Sequence, residues 1–410
     1  MDFEDTPQES AFRAEVKSFL AAHAEPLERG SAQGYRTGQS APGALERAKA
    51  WQAKKYEAGF AGITWPKEWG GRGGTPIEQV IYNQEEAHYA VPRGFFEIGL
   101  GMCIPTLCTW GKPEQRQRFA PQALKGDEIW CQLFSEPAGG SDLAGLRTRA
   151  EKQGEEWVIN GQKIWTSGAH YSDYGIIVTR SDPNQPKHKG LTFFFLDMKS
   201  KGIEVRPIKQ ISGQSHFNEV FFTDVRVPDS QRLGAVGAGW QVALTTLMNE
   251  RLAVGDAPGP DFREIFDLVR RLELEDGPAI RNAAVRDRLA DWYVKTQGLK
   301  YTKFRTMTRL SRGETPGPEA SIGKLVSASK LQDIASFGME LMGMGGIMTD
   351  EAMPAHALFQ QALLYSPALR IAGGSDEILR NIIAERVLGL PADIRVDKDL
   401  PFNKLPTGKR

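Results

Sequence analysis

Apolar residues recur three and four positions apart from about residue 8 to residue 126, around Phe12, Val16 and Phe19 and again through 43–58, 76–90 and 113–125. That spacing lines one face of a helix, so the first third of the chain reads as an α-helical domain. Between 129 and 230 the pattern shortens to β-branched and aromatic runs at 157–159, 175–178, 191–196 and 220–222, separated by turn residues. Asn160-Gly161 falls between two such runs and predicts a hairpin turn, because both residues tolerate positive φ. The middle therefore reads as a compact β barrel or sandwich. From 237 the helical period returns, as in Val285, Leu289, Trp292, Thr296 and Leu299, with a loop of Gly, Pro and Glu at 311–318. The last third reads as a helical bundle. The final stretch, PADIRVDKDLPFNKLPTGKR, is polar, has three prolines and lacks a period, so it either frays or lies over a neighbour. These switches predict an α+β multidomain chain: an N-terminal α-helical domain at 1–128, a middle β barrel at 129–232, a C-terminal α-helical bundle at 233–393 and a polar tail at 394–410.

Composition narrows the function classes. The 410 residues, 40% apolar and 25% charged, are enough for a large core and two or three units. Basic and acidic residues balance at 51 each, which leaves no overall field to attract nucleic acid or an anionic membrane. The start MDFEDTPQES lacks the basic and apolar regions of a signal peptide, and no run reaches the ~20 apolar residues of a membrane span. The expectation is a cytoplasmic chain without membrane insertion. Cys103, Cys108 and Cys131 make an odd set and the six histidines lack ligand spacing, so neither a disulfide framework nor a metal site is expected.

Four segments stand out chemically. In WCQLFSEPAGGSDLAG, at 130–145, a strand-like run breaks into Ser-Glu-Pro, two glycines and Ser-Asp. Such a loop either exposes backbone donors and the Ser135 and Ser141 hydroxyls to a flat or anionic ligand, or is a tight surface turn. In KIWTSGAHYSDYGIIV, at 163–178, Trp165 beside Thr166 and Ser167 suits one face of a polar aromatic cofactor, or else packs inside the barrel. In VALTTLMNERLAVG, at 242–255, Glu250 shares a helical line with Ala243, Leu247 and Val254. Residues 246, 247, 253 and 254 put no basic side chain one turn away on that helix. Burial among apolar groups raises a carboxylate's pKa, the state a general base needs; the alternatives are an arginine from elsewhere in the fold or a surface position. In RIAGGSDEIL, at 370–379, Gly373-Gly374 precede a Ser375 cap and an acidic first turn, Asp376 and Glu377. That is a helix start, of a kind that either meets an anionic ligand or is only a cap.

In order, these segments resemble the acyl-CoA dehydrogenase family over about residues 5–391. The resemblance rests on WPKEWGGRGG at 65–74, Ser-Glu-Pro-x-Gly-Gly-Ser-Asp at 135–142, the Trp-Thr-Ser segment, and Gly-Ser-x-x-Ile-x-Arg-Asn at 374–381. It implies an α domain, a β barrel and an α bundle with FAD between barrel and bundle. It also implies that Gln132, Leu133, Phe134 and Ser135 hold the pyrimidine edge of the flavin and Trp165, Thr166 and Ser167 its N5 region. Gly140, Ser141, Ser375, Asp376 and Glu377 complete the implied cofactor contacts. Ser141, Asn249, Arg251 and Gly374 fall where relatives line the acyl-CoA thioester. The reaction implied is α,β-dehydrogenation of an acyl-CoA to the trans-2-enoyl-CoA, a carboxylate taking the α proton while the β hydrogen leaves as hydride to flavin N5. Many members carry the base where this chain has Gly373. A smaller set, resembling isovaleryl-CoA and long-chain dehydrogenases, carries it in a Glu-Arg pair on the first helix of the C-terminal bundle, which Glu250-Arg251 matches.

Two motifs with which, in the family's homotetramers, a neighbouring subunit grips the adenosine end of FAD are altered in this chain. Residues 262–282 lack the Phe-Gly of Arg-x-x-Phe-Gly, and 340–346 read ELMGMGG, with Glu340 for the glutamine of Gln-x-x-Gly-Gly. The implied partners are an acyl-CoA, electron-transferring flavoprotein as electron acceptor, and further subunits in a homo- or hetero-oligomer. Similar losses occur in bacterial dehydrogenases of bulky thioesters such as steroid side chains. Two rival readings remain: an oxygen-using oxidase on the same fold, and a non-catalytic or flavin-sharing subunit. A nicotinamide enzyme is disfavoured, because Gly234, Gly237 and Gly239 have the wrong spacing and context for a dinucleotide fingerprint.

Overall fold

A computed structural model describes residues 5–27, 41–253, 259–311, 317–348, 355, 357–392, 394 and 397–405, without the side chains of 251–253 and 310–311. The chain begins with helix α1 (Pro7–His23), strand β1 (Glu25–Pro26), α2 (Ala44–Glu57), α3 (Pro76–Glu86), β2 (Tyr89–Ala90), α4 (Ile104–Trp110) and α5 (Pro113–Lys125). Local chemistry sets the helix starts. Thr6 and Glu9 close a capping box on α1, Thr75 and Glu78 another on α3, and each helix carries proline in its first turn. Strands β3 (Trp130–Leu133), β4 (Arg149–Gln153), β5 (Glu156–Ser167), β6 (Tyr174–Arg180), β7 (Leu191–Asp197), β8 (Ile203–Ile208), β9 (Phe217–Pro228) and β10 (Arg232–Leu233) follow. The remainder comprises α6 (Gly239–Ala253), α7 (Phe262–Val269), β11 (Glu273–Leu274), β12 (Gly277–Pro278), α8 (Ala283–Ser311), α9 (Ala320–Met342), α10 (Leu358–Ile371) and α11 (Asp376–Ile382). The helical, β-rich and helical order expected from the sequence is the order found.

Packing groups the described residues into two compact units. The first draws on 1–38, 74–91 and 254–391, the second on 39–73, 92–253 and 392–410. In the first, α1 packs on α3, where Arg13 Nη1 donates to Glu85 Oε1 at 2.7 Å, and α7 to α10 surround Ile265, Leu289, Trp292, Ile334 and Phe359. The buried Val285, Leu289 and Trp292 are the stripe read from the sequence.

The second unit is built on the sheet, ordered β10-β7-β6-β4-β5-β9-β8, with β3 also paired to β6. Among the described residues no ladder joins β8 to β10, so the expected barrel is, in its pairing, an open sheet. Its central strands are buried on both faces. Ile176, Val178, Phe193 and Phe195 meet Ile104, Leu107, Ala120, Val242 and Ala243 of the helices, while Ile177, Phe194 and Leu196 meet Trp157, Val220 and Val225. Burial on both faces explains runs as apolar as Leu191–Leu196. The cysteines are free and buried, and burial pushes the Cys108 and Cys131 thiols up to about 12.

Asn160-Gly161 is not the hairpin turn expected. The β4–β5 turn is Gly154-Glu155, between the pair Gln153 and Glu156, and Asn160-Gly161 lies within β5 where its register on β9 shifts. Glycine is required there by close approach. A Cβ on Gly161, at φ 152, would stand 2.5 Å from Thr148 Oγ1 and 2.7 Å from Thr148 Cα. Gly161→Ala is therefore expected to cost about 1–3 kcal/mol as a lowered midpoint of denaturant unfolding, and an unchanged midpoint would refute the close contact.

The described tail lies over its own unit rather than fraying: Phe402 N donates to Gln185 O at 2.9 Å and Asn403 N to Pro183 O at 3.0 Å. No helix among the described residues is long and apolar enough to cross a membrane.

Candidate active site

The loop after β3 is a tight turn braced by a buried ion pair. Glu136 N donates to Gly139 O at 2.9 Å and Gly139 N returns to Glu136 O at 3.0 Å, with Pro137 fixing the corner. The Glu136 carboxylate accepts from Arg147 N at 2.7 Å, Thr148 N at 2.9 Å and Lys163 Nζ at 2.9 Å. Burial raises its pKa, but the Lys163 charge and these donors prevail and hold the carboxyl below its usual range. Lys163, whose side chain is 0% exposed, also donates to Phe134 O at 3.0 Å. Gln132, Leu133 and Phe134 are thus fixed as strand and strand end, while Ser135, Gly140 and Ser141 stay partly or fully open to solvent. Gly140 faces the Ser135 hydroxyl across the turn, where a Cβ on the glycine would lie 4.0 Å from that oxygen.

The Trp-Thr-Ser segment adjoins this loop, since Ile164 N donates to Ser135 O at 2.9 Å. Between Lys163 and Thr166 the pairing of β5 with β9 is again irregular. Trp165 there adopts φ 60, and it is 55% exposed with its ring perpendicular to that of Phe217. A left-handed non-glycine residue with an exposed indole is costly twice over, and such strain gathers at ligand clamps. Thr166 O accepts from Asn218 Nδ2 at 2.9 Å, but Thr166 Oγ1 is buried without a hydrogen-bond partner. An unsatisfied buried hydroxyl costs about 1–3 kcal/mol. The packed-core alternative for Trp165 is excluded by its exposure.

Helix α6 is pinned by Thr246, whose hydroxyl lies 2.9 Å from that of Thr106, and by Thr245, which accepts from Trp110 Nε1 at 2.9 Å. Ala243 is buried, Leu247 packs on the same core, and Glu250, one turn further, is half-buried. Asn249 Nδ2 is buried without a hydrogen-bond partner. The side chains of Arg251 and Val254 lie outside the described residues.

Gly374, Ser375, Asp376 and Glu377 belong to the first unit. Gly373 and Gly374 have φ 66 and 89, so the backbone itself favours glycine at both. Ser375 caps its own helix through Ile378 N, and buried Asp376 accepts from Arg370 Nε at 2.7 Å, leaving Oδ1 without a hydrogen-bond partner. Glu377 is exposed, and its carboxyl is held below the usual range by hydrogen bonds to its own backbone N–H and to Ser375. Lys324 Nζ donates to Gly374 O at 2.5 Å.

The second unit therefore brings Gln132–Ser135, Gly140, Ser141 and Trp165–Ser167 together on two adjoining segments, and carries Asn249 and Glu250 on a pinned helix. Such an arrangement can seat a polar aromatic ring and supply a carboxylate base. Sequence reading missed Glu136, Lys163 and Asn218, the residues that hold these segments. No local pattern marks them, since the partner of Lys163 lies 27 residues away.

The chain matches the N-terminal domain family of acyl-CoA dehydrogenases over residues 6–127, the middle domain family over 131–225 and the C-terminal domain family over 237–388. It is 40% identical to acyl-CoA dehydrogenase FadE34 of Mycobacterium tuberculosis over 83% of its length, and spans 46% of that protein. It is 36% identical to acyl-CoA dehydrogenase IpdE1 of the same organism, covering 94% of this chain and 98% of the relative. Among solved structures, the Tcur3481-Tcur3483 steroid ACAD aligns with TM-score 0.80 at 29% identity, over 96% of this chain and 100% of that one. A chain of the ChsE4-ChsE5 complex from M. tuberculosis aligns with TM-score 0.79 at 27% identity, again over 96% and 100%.

Proposed function

The chain belongs to the acyl-CoA dehydrogenase family, and from that premise we propose that it binds FAD and oxidises an acyl-CoA thioester at its α and β carbons, with Glu250 as the base. The observation that carries this reading is the Trp165–Thr166 bulge: a strained, exposed indole beside a buried hydroxyl that lacks a partner. Bound there, FAD supplies a hydride acceptor at N5. Gln132, Leu133, Phe134, Ser135, Gly140 and Ser141 would hold the cofactor with backbone and hydroxyl groups, together with Trp165, Thr166 and Ser167 of the adjoining segment.

An α C–H beside a thioester is a poor acid, so the residues around it must stabilise charge growing on the carbonyl oxygen. Asn249, whose amide Nδ2 is buried without a hydrogen-bond partner, and Ser141 would serve that end of the substrate. Glu250 takes the α proton from a helix that cannot swing away, because Thr245 and Thr246 anchor it. Electron-transferring flavoprotein would be the electron acceptor.

The test is a panel of short, branched, long and steroid-type acyl-CoAs mixed without oxygen with the purified chain. Loss of the flavin's visible absorption with one of them is the expected result. A flavin-loaded chain that none of them bleaches would overturn the reading.

A second reading concerns assembly. Glu340 replaces a glutamine, residues 262–282 lack Phe-Gly, and two of the similar structures, Tcur3481-Tcur3483 and ChsE4-ChsE5, carry paired names. These features favour a homologous, non-identical partner that contributes to the adenosine end, and a steroid-type side chain as substrate. Stoichiometric FAD on the chain expressed alone would refute the requirement for that partner.

A further inference from the structure

The tail after the last helix is joined to the loop that carries Ser141. Lys187, in the segment linking β6 to β7, is the junction: its Nζ lies 3.0 and 3.1 Å from the Asp142 carboxylate oxygens and 2.5 Å from Asp397 Oδ2. A second tie runs through Arg180, a buried residue on β6 whose guanidinium lies 3.8 Å from the centre of the Phe402 ring. The same guanidinium donates to Lys187 O at 2.7 Å, Ala144 O at 2.5 Å and Leu146 O at 3.4 Å. Backbone bonds from Phe402 and Asn403, and Asn403 Nδ2 to Asn184 Oδ1 at 2.9 Å, seat the tail on 183–185. Removing the aromatic ring would expose one face of a buried cation whose donors fix the 144–146 backbone, and the loop would lose its brace.

Taking the proposed acyl-CoA site as given, we propose that the C-terminal segment 397–405 is a strap that sets the loop 139–146 at the thioester end of that site, with Asp397 and Phe402 as positioning residues. Neither touches the substrate. They act through Lys187 on Asp142 and through Arg180 on Ala144 and Leu146, and so on the placement of Ser141.

The experiment uses the full-length chain with Asp397→Asn, Phe402→Ala or Phe402→Tyr, and follows amide hydrogen exchange at Gly145 and Leu146 together with KM and kcat for the thioester that the unmodified chain oxidises best. Expected for Asp397→Asn and Phe402→Ala are faster exchange and KM raised about fivefold, with kcat and bound flavin unchanged; Phe402→Tyr, which keeps an aromatic face over Arg180, stays near the unmodified chain. Unaltered exchange in both loosening variants overturns the strap. Faster exchange with unchanged KM overturns its role in positioning the site. The exchange measurement needs no turnover, so an unmodified chain that oxidises no thioester while the exchange difference persists refutes the activity and not the strap.

Discussion

Glu250→Gln is expected to slow flavin reduction by a bound acyl-CoA by about 10²–10⁴-fold, the usual worth of a positioned general base. The amide has nearly the size of the carboxylate, so thioester binding should change little, and kcat and kcat/KM should fall together. The helix gives this substitution its meaning. Ala243 and Leu247 face the core that the helix shares with the sheet, Thr245 and Thr246 tie it to α4, and Glu250 is half-buried near its end. Gly373, where many relatives keep their base, lies at φ 66 and has no side chain, so it offers no substitute. Single-turnover mixing without oxygen separates chemistry from binding, and reduction of the variant at the unmodified rate would remove Glu250 from the mechanism.

The fold was legible because its signals are local. The stripe Phe12, Val16 and the stripe Val285, Leu289, Trp292 mark helices that bury those faces, and the doubly buried strands announce themselves as apolar runs. Motif loops at 135–142 and 165–167 were legible as departures from such patterns. What failed was alternation along β5. Irregular pairing at 159–161 and 163–166 shifts the inward and outward faces, so Asn160-Gly161 passed for a turn and Lys163 gave no sign of pointing inward. The partner of Lys163 is 27 residues away, beyond any local pattern. The tail was legible as irregular and polar, but its ties depend on Arg180 and Lys187, which only the folded sheet brings beneath it.

Lys163→Met is expected to destabilise the chain by about 3–5 kcal/mol at neutral pH, because it leaves the Glu136 carboxylate buried with its countercharge removed. Loss of the Phe134 O contact adds to the damage. The double variant Lys163→Met/Glu136→Gln should lose less than the sum of the two single changes, since no uncompensated charge remains and the amide carbonyl introduced at position 136 can still accept from Arg147 N or Thr148 N. The pH dependence follows from the lowered Glu136 pKa. Its stabilising contribution is complete above the unfolded carboxyl's pKa of about 4.3 and is lost as pH falls through the lower folded value. In Lys163→Met the buried carboxyl can instead neutralise by taking a proton, so the difference from the unmodified chain should shrink on acidification. Denaturant unfolding at neutral pH and near pH 4 measures both effects, and a constant difference would show that the pair is not the brace. The same variant links stability to function: the bonds that hold Glu136 and Lys163 also bring Ser135 against Ile164, next to Trp165, so flavin retained through purification should fall with Lys163→Met and recover in part in the double variant.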